Sequence, residues 1–333
     1  MSTLAIDRLT EAIERTGNPT ALGLDTRIEY LPPSMLKDLG DIGSLENMEY
    51  LANMGNNPEN DAVEEALFTF NRGLIDALAD LVPCVKVQVA YYEMLGVTGM
   101  KLFRKTLLYA KEKGMIVIAD VKRNDIGSTA EIYASAYLKG GSFSAGAGFP
   151  ADFVTINAYF GVDGVAPFLS ACEKNGTGIF VLVRTSNPSA GEFQDLIVRD
   201  AQGVKGGQGD ERPLYEQVGL KVAQWGEALM GRCGYSSVGA VVGATWPEEG
   251  KRLRALLPRV FFLVPGYGVQ GATARDLVGC FDGQGRGAIV NASRSLICAH
   301  KNRKTDDFAS AARDEALRMR DDLRRAIAQN TRA

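Results

Sequence analysis

The sequence is almost without histidine. Its 333 residues hold one, His300. That excludes metal sites built from several histidines. Ser-His-Asp or Cys-His catalysis would rest on this one residue. His300 follows the last apolar run, in a basic and polar segment, where a surface position is expected. A general acid or base is therefore sought among Asp, Glu, Lys, Tyr and Cys. Cysteine is also sparse. Cys84, Cys172, Cys233, Cys280 and Cys298 form no C-x-x-C pair, which speaks against a disulfide framework. Three lie in or beside apolar runs and read as small buried hydrophobes. No apolar run approaches the roughly 20 residues needed to span a bilayer. The stretch from Ser2 to Gly17 is charged and helix-like, unlike a signal peptide, so the expected compartment is the cytoplasm. Neither sign of charge dominates. Lys+Arg 37 against Asp+Glu 40 leaves -3, which suggests neither a nucleic-acid surface nor a membrane surface.

What is present is a series of short apolar runs. Hydrophobic residues make up 46% of the chain, enough for a sizeable core. The runs are Ala21–Asp25, Cys84–Gln88, Met115–Val121, Phe153–Tyr159, Gly178–Arg184, Val238–Ala244, Val260–Gly266 and Gly287–Ser293. Continuous apolar runs suit strands covered on both faces. Helical patterns follow most of them, among them Thr98–Lys113, Thr129–Lys139, Gly164–Lys174, Leu214–Gly231, Glu248–Leu257 and Asp306–Ala328. Eight strands alternating with helices predict an α/β chain folded as one (β/α)8 TIM barrel over residues 1–333. A doubly wound sheet is the alternative. Two β-to-α connections exceed what a barrel needs. One is an insertion at 46–62. The other, 186–213, follows the fifth strand and reads as a lid.

Barrel active sites are built at the carboxyl ends of the strands. Standing there are Asp25, then Lys86 and Gln88, then Asp120 and Lys122 with Asp125 beyond, then Asn157, then the run Arg184 to Asn187. Gly266 to Gly271 and Asn291 to Arg294 end the last two strands. Asp120 and Lys122 fall on the same face of their strand. Charges at the end of a buried strand are costly unless paired or used. With Lys86 on the neighbouring strand, an alternating Lys–Asp–Lys–Asp array is plausible. Such an array keeps Lys122 protonated, so that it can donate a proton. A buried ion pair without chemistry is the plainer alternative. Residues 266–271 match G-x-G-x-x-G, yet the next strand ends without the acid that a dinucleotide fold wants. A phosphate site fits better: Gly268 would let backbone N–H groups approach, Gln270 would donate, and Arg294 would supply a planar cation.

These stretches together resemble the orotidine 5′-phosphate decarboxylases, in particular their longer bacterial subgroup. The resemblance rests on ALGLDTR (21–27), VKVQ (85–88), ADVKRNDIGSTA (119–130), VLVRTSNPSAGEFQ (181–194), VPGYGVQGA (264–272) and IVNASRSLI (289–297). It implies a metal-free and cofactor-free decarboxylation that yields UMP in pyrimidine biosynthesis. It implies that Lys122 protonates C6 of the pyrimidine and that Asp120 lies near the substrate carboxylate. Asp25 and Lys86 would contact the ribose hydroxyls, and Ser186 would read the pyrimidine amide edge. Gln270 and Arg294 would hold the phosphate. Asp125 would come from a partner subunit, with Ile126 and Thr129 nearby, so the active enzyme would be a homodimer. The chain departs from the commonest pattern at Gly127-Ser128, where many relatives have Pro-Asn. It departs again at Ala292-Ser293, where shorter relatives have Val-Gly. A related barrel lyase or aldolase acting on a sugar phosphate is the alternative enzyme. A non-catalytic nucleotide-binding barrel is the alternative outside enzymes.

Overall fold

The computed structural model describes residues 3–39, 58–138, 148–199, 211–268 and 272–331. Eight parallel strands close into a barrel in the order β1-β10-β9-β8-β5-β4-β3-β2. They are β1 Thr20–Leu24, β2 Cys84–Gln88, β3 Ile116–Arg123, β4 Phe153–Ile156, β5 Gly178–Arg184, β8 Ser236–Val242, β9 Val260–Pro265 and β10 Ala288–Ala292. β6 Ile197–Arg199 and β7 Glu211–Pro213 form a separate antiparallel hairpin. Each expected apolar run overlaps a barrel strand. The fourth is shorter than expected, ending at Ile156 rather than Tyr159.

Alternation of side chains along each strand divides the core in two. On β9, Phe261 and Leu263 point into the barrel, while Phe262 and Val264 face the helices. On β3, Ile116 and Ile118 point in and Val117 and Ala119 point out. The same period directs Asp120 inward. Helix α1 (Ala5–Thr16) seals the amino-terminal end of the barrel, packing Ala5, Ile6 and Leu9 against Phe153, Phe180 and Phe261. Burying Ile6 and Leu9 contributes about 2 kcal/mol each.

The outer helices are α2 Pro58–Leu78, α3 Gly96–Glu112, α4 Gly127–Leu138, α5 Val162–Asn175, α6 Leu214–Trp225, α7 Pro247–Leu256 and α8 Phe308–Asn330. α2 is 21 residues long and was not anticipated; its first residues fall in the supposed insertion. The rest of that insertion, residues 46–57, lies outside the described residues, as do 200–210 of the supposed lid. His300 is not on the surface. It is buried and stands edge-on to Phe70, with ring centroids 6.0 Å apart. The short helix that carries it packs beneath α8, so its polar sequence neighbours face outward while His300 faces in.

Candidate active site

The carboxyl ends of the strands surround a cavity of about 620 Å³. Asp25, Lys86, Asp120, Lys122, Ser186 and Arg294 all line it. Asp120 is its most heavily bonded group. Its Oδ2 accepts from Lys86 Nζ at 2.8 Å and Gln88 Nε2 at 2.9 Å. Its Oδ1 accepts from Lys122 Nζ at 2.7 Å and Thr155 Oγ1 at 2.9 Å. Asp25 completes the array, with its Oδ1 3.5 Å from Lys86 Nζ.

The electrostatics follow from this geometry. Burial alone would raise the pKa of Asp120. Lys86 and Lys122 outweigh it and hold the carboxyl well below the usual carboxylate range. Burial alone would lower the pKa of Lys86. Asp120 and Asp25 outweigh it and hold the ammonium above its ordinary range. The two lysines differ in access. The side chain of Lys86 is 5% exposed, and that of Lys122 is 45% exposed. Lys86 is locked among carboxylates, whereas Lys122 shows part of its ammonium to the cavity.

Ser186 sits on the rim, held by a brace. Arg184, fully buried at the end of β5, pairs with Asp195 at 2.7 Å and lies between the rings of Tyr215 and Trp246. Trp246 Nε1 donates to Thr185 O at 2.9 Å, and Thr245 Oγ1 donates to Ser186 O at 3.1 Å. Arg184 is thus a fixture of the loop rather than a ligand-binding group. Across the cavity, Gly23 lets β1 approach β10. A side chain there would collide with Ser293 Oγ and Asn291 Oδ1, which face the same space.

Four expected site residues stand elsewhere. Asn157 lies beyond the end of β4 and outside the cavity. Its side chain accepts from Tyr159 N at 3.0 Å and its carbonyl accepts from Asn124. The cavity-facing residue of β4 is Thr155, two positions earlier on the same face. Gly268 also stands outside the cavity, because its N–H turns back to Ala272 O at 3.0 Å; Gly266 and Tyr267 reach the rim instead. Asp125 lies in the turn before α4, where its carboxylate accepts from Ile126 N at 2.8 Å, and Thr129 is exposed on α4. Neither reaches the cavity of its own chain. Gln270 lies outside the described residues. Among the described residues, no group of three or more His, Cys, Asp or Glu side chains is placed to hold a metal ion.

Comparison with known proteins decides the family. The profile described as Orotidine 5′-phosphate decarboxylase / HUMPS family matches residues 64–305. The chain belongs to this family. Orotidine 5′-phosphate decarboxylase of Clostridium kluyveri is 41% identical over 331 residues, covering 98% of this chain and 99% of that protein. The enzyme of the same name from Petrotoga mobilis is 41% identical over 322 residues, covering 96% and 98%. Among solved structures, a Streptomyces avermitilis protein assigned to the decarboxylases superposes with a TM-score of 0.73 at 28% identity, covering 98% of this chain and 97% of its own. Leishmania donovani OMP decarboxylase superposes with a TM-score of 0.66 at 24% identity, covering 96% and 99%, and speaks to the fold alone. Within the decarboxylase family frame, Tyr91, Arg27 and Tyr30 are further cavity-lining residues. Their signal in the sequence was position: all three follow within a few residues of a strand end.

Proposed function

We propose that this chain decarboxylates orotidine 5′-phosphate to UMP, a step of pyrimidine biosynthesis, with Lys122 as proton donor and without metal or organic cofactor. The observation that carries the reading is the Lys122 ammonium, fixed at 2.7 Å from Asp120 and half open to the cavity. Loss of CO2 from C6 breaks the C6–carboxylate bond and leaves its electron pair in the ring plane. No adjacent group can delocalise that pair, so the barrier is very high. Enzymes lower barriers by roughly 8–23 kcal/mol, and here the reduction must be electrostatic. The Lys122 ammonium stabilises the pair as it forms, then transfers its proton to C6. Asp120 holds that ammonium in place through the 2.7 Å contact.

Binding roles follow from the resemblance to the decarboxylases: Asp25 and Lys86 for the ribose hydroxyls, Ser186 for the pyrimidine amide edge, and Arg294 with Gln270 for the phosphate. Remote binding of the phosphate supplies energy that is spent on organising the site and excluding water. Asp125 and Thr129 serve the neighbouring site of a homodimer in the cytoplasm. Support for this is the apolar surface around them: Ile126 just before α4, Ile132 on α4, Tyr159 and Phe160 in the loop after β4, and Val162 at the start of α5 are all exposed large hydrophobics, and surfaces of this kind mark interfaces. The direct test is ultraviolet absorbance. Orotidine 5′-phosphate added to the protein in the presence of a chelator should lose absorbance as UMP forms. A flat trace at high enzyme concentration rejects the reading. Specific activity that falls on dilution below the dimer dissociation constant checks the shared site.

A further inference from the structure

We infer that Thr155 is the positioning residue that aims Lys122, a role that rests on the decarboxylase reading above. Lys122 has a backbone φ of 48°, in the left-handed region. A lysine there is strained and persists only where its surroundings over-determine it. The strand pairing breaks at this point. Ala119 pairs with Val154 and Arg123 pairs with Ile156, so four steps of β3 are spanned by two of β4. The backbone N–H groups of Val121 and Lys122 therefore lose their regular partners.

Thr155 stands opposite the break and receives both. Its Oγ1 accepts from Val121 N at 3.0 Å and from Lys122 N at 3.0 Å. The same hydroxyl donates to Asp120 Oδ1 at 2.9 Å. A hydroxyl has one proton and two acceptor sites, and here all three are used. The side chain is buried, with 1% exposure. One atom thus fixes the bulge that turns Lys122 and the carboxylate oxygen on which its ammonium rests. Gln88 Nε2 bonds only to the other oxygen of Asp120. No group except Thr155 among the described residues bonds both to the Lys122 backbone and to its counter-ion.

The test is a hydroxyl series. Thr155→Val keeps the shape and removes the hydroxyl, and Thr155→Ser keeps the hydroxyl. Thr155→Ala repeats the deletion with no steric demand, should valine disturb the strand. Each is assayed for kcat and KM with orotidine 5′-phosphate, beside wild type and Lys122→Ala, with thermal unfolding to confirm folding. Misplacing the donor by about an ångström should cost the valine and alanine variants about a hundredfold in kcat. KM should stay within about threefold, because the substrate contacts remain, and the serine variant should keep kcat within about threefold of wild type. Near-normal kcat in the valine and alanine variants overturns the positioning role and leaves the decarboxylase reading standing. So does a serine variant as slow as valine. An inactive wild type overturns the reading itself.

Discussion

Two carboxylates, Asp120 and Asp152, stand at opposite ends of the same pair of strands. Both are 6% exposed. Both are held by two cations. Asp120 takes Lys86 at 2.8 Å and Lys122 at 2.7 Å. Asp152, just before β4, takes Arg8 at 2.8 Å and Lys111 at 3.0 Å, and also accepts from Val117 N at 2.9 Å. What differs is the space beside them. Arg8 comes from α1, whose apolar face closes the amino-terminal end of the barrel. The carboxyl-terminal end opens on the cavity of about 620 Å³. An ion pair is therefore not a site by itself. It becomes one where a cation keeps a free face toward a volume that holds a ligand.

The difference can be broken first at Lys122. Lys122→Ala should fold normally and lose about 10⁴-fold in kcat, the upper end for a positioned general acid and about 5.5 kcal/mol of barrier. Unfolding curves and steady-state rates check both halves. Two arginines extend the comparison. Arg254, at the closed end, is buried, and among the described residues no carboxylate forms a salt bridge with it. It donates to the carbonyls of Cys280, Leu257, Pro258, Val260 and Gly287, and burial lowers its pKa to about 10. Arg254→Ala orphans those carbonyls and should cost about 3 kcal/mol of stability, read by denaturant unfolding. Its effect on kcat/KM in the folded protein should be small. Arg294, at the open end, should behave oppositely. Arg294→Ala should lower kcat/KM about a hundredfold with little change in Tm.

The smallest effect concerns His300. Burial, with the charge of Lys301, holds its pKa below the ordinary value. The unfolded chain takes up a proton at about pH 6.5, before the folded protein does. The stability carried by neutral His300 is thus present above that pH and lost as pH falls below it. His300→Leu should flatten this acid limb, shrinking the fall in Tm between about pH 7.5 and 5.5 by a degree or two.

The strands and Asp25, Lys86, Asp120 and Lys122 were legible because two periods coincide there. Apolar runs mark buried strands, and a charge at the end of such a run has few places to go. Asn157 misled because the run Phe153–Tyr159 does not show where β4 ends; the ladder stops at Ile156. Thr155 was silent because a threonine inside an apolar run reads as a β-branched core residue. Only the break in the β3–β4 pairing, a tertiary feature, gives its hydroxyl work. His300 was misplaced because polar neighbours in sequence say little about which face of a short helix turns inward. The helix α2 was missed because its start lies in a polar segment, while its apolar face, with Leu67, Phe70 and Leu74, is defined by what it covers.

The comparison of the two carboxylates is tested most directly by one crossed measurement: kcat and Tm of Asp120→Asn and Asp152→Asn, side by side with wild type. The asparagine at 120 should remove nearly all turnover, because Lys122 loses its counter-ion at the open end. The asparagine at 152 should lower Tm and leave kcat within about twofold, because its partners Arg8 and Lys111 are a third exposed and do not line the cavity. Equal turnover in the two variants would contradict the account.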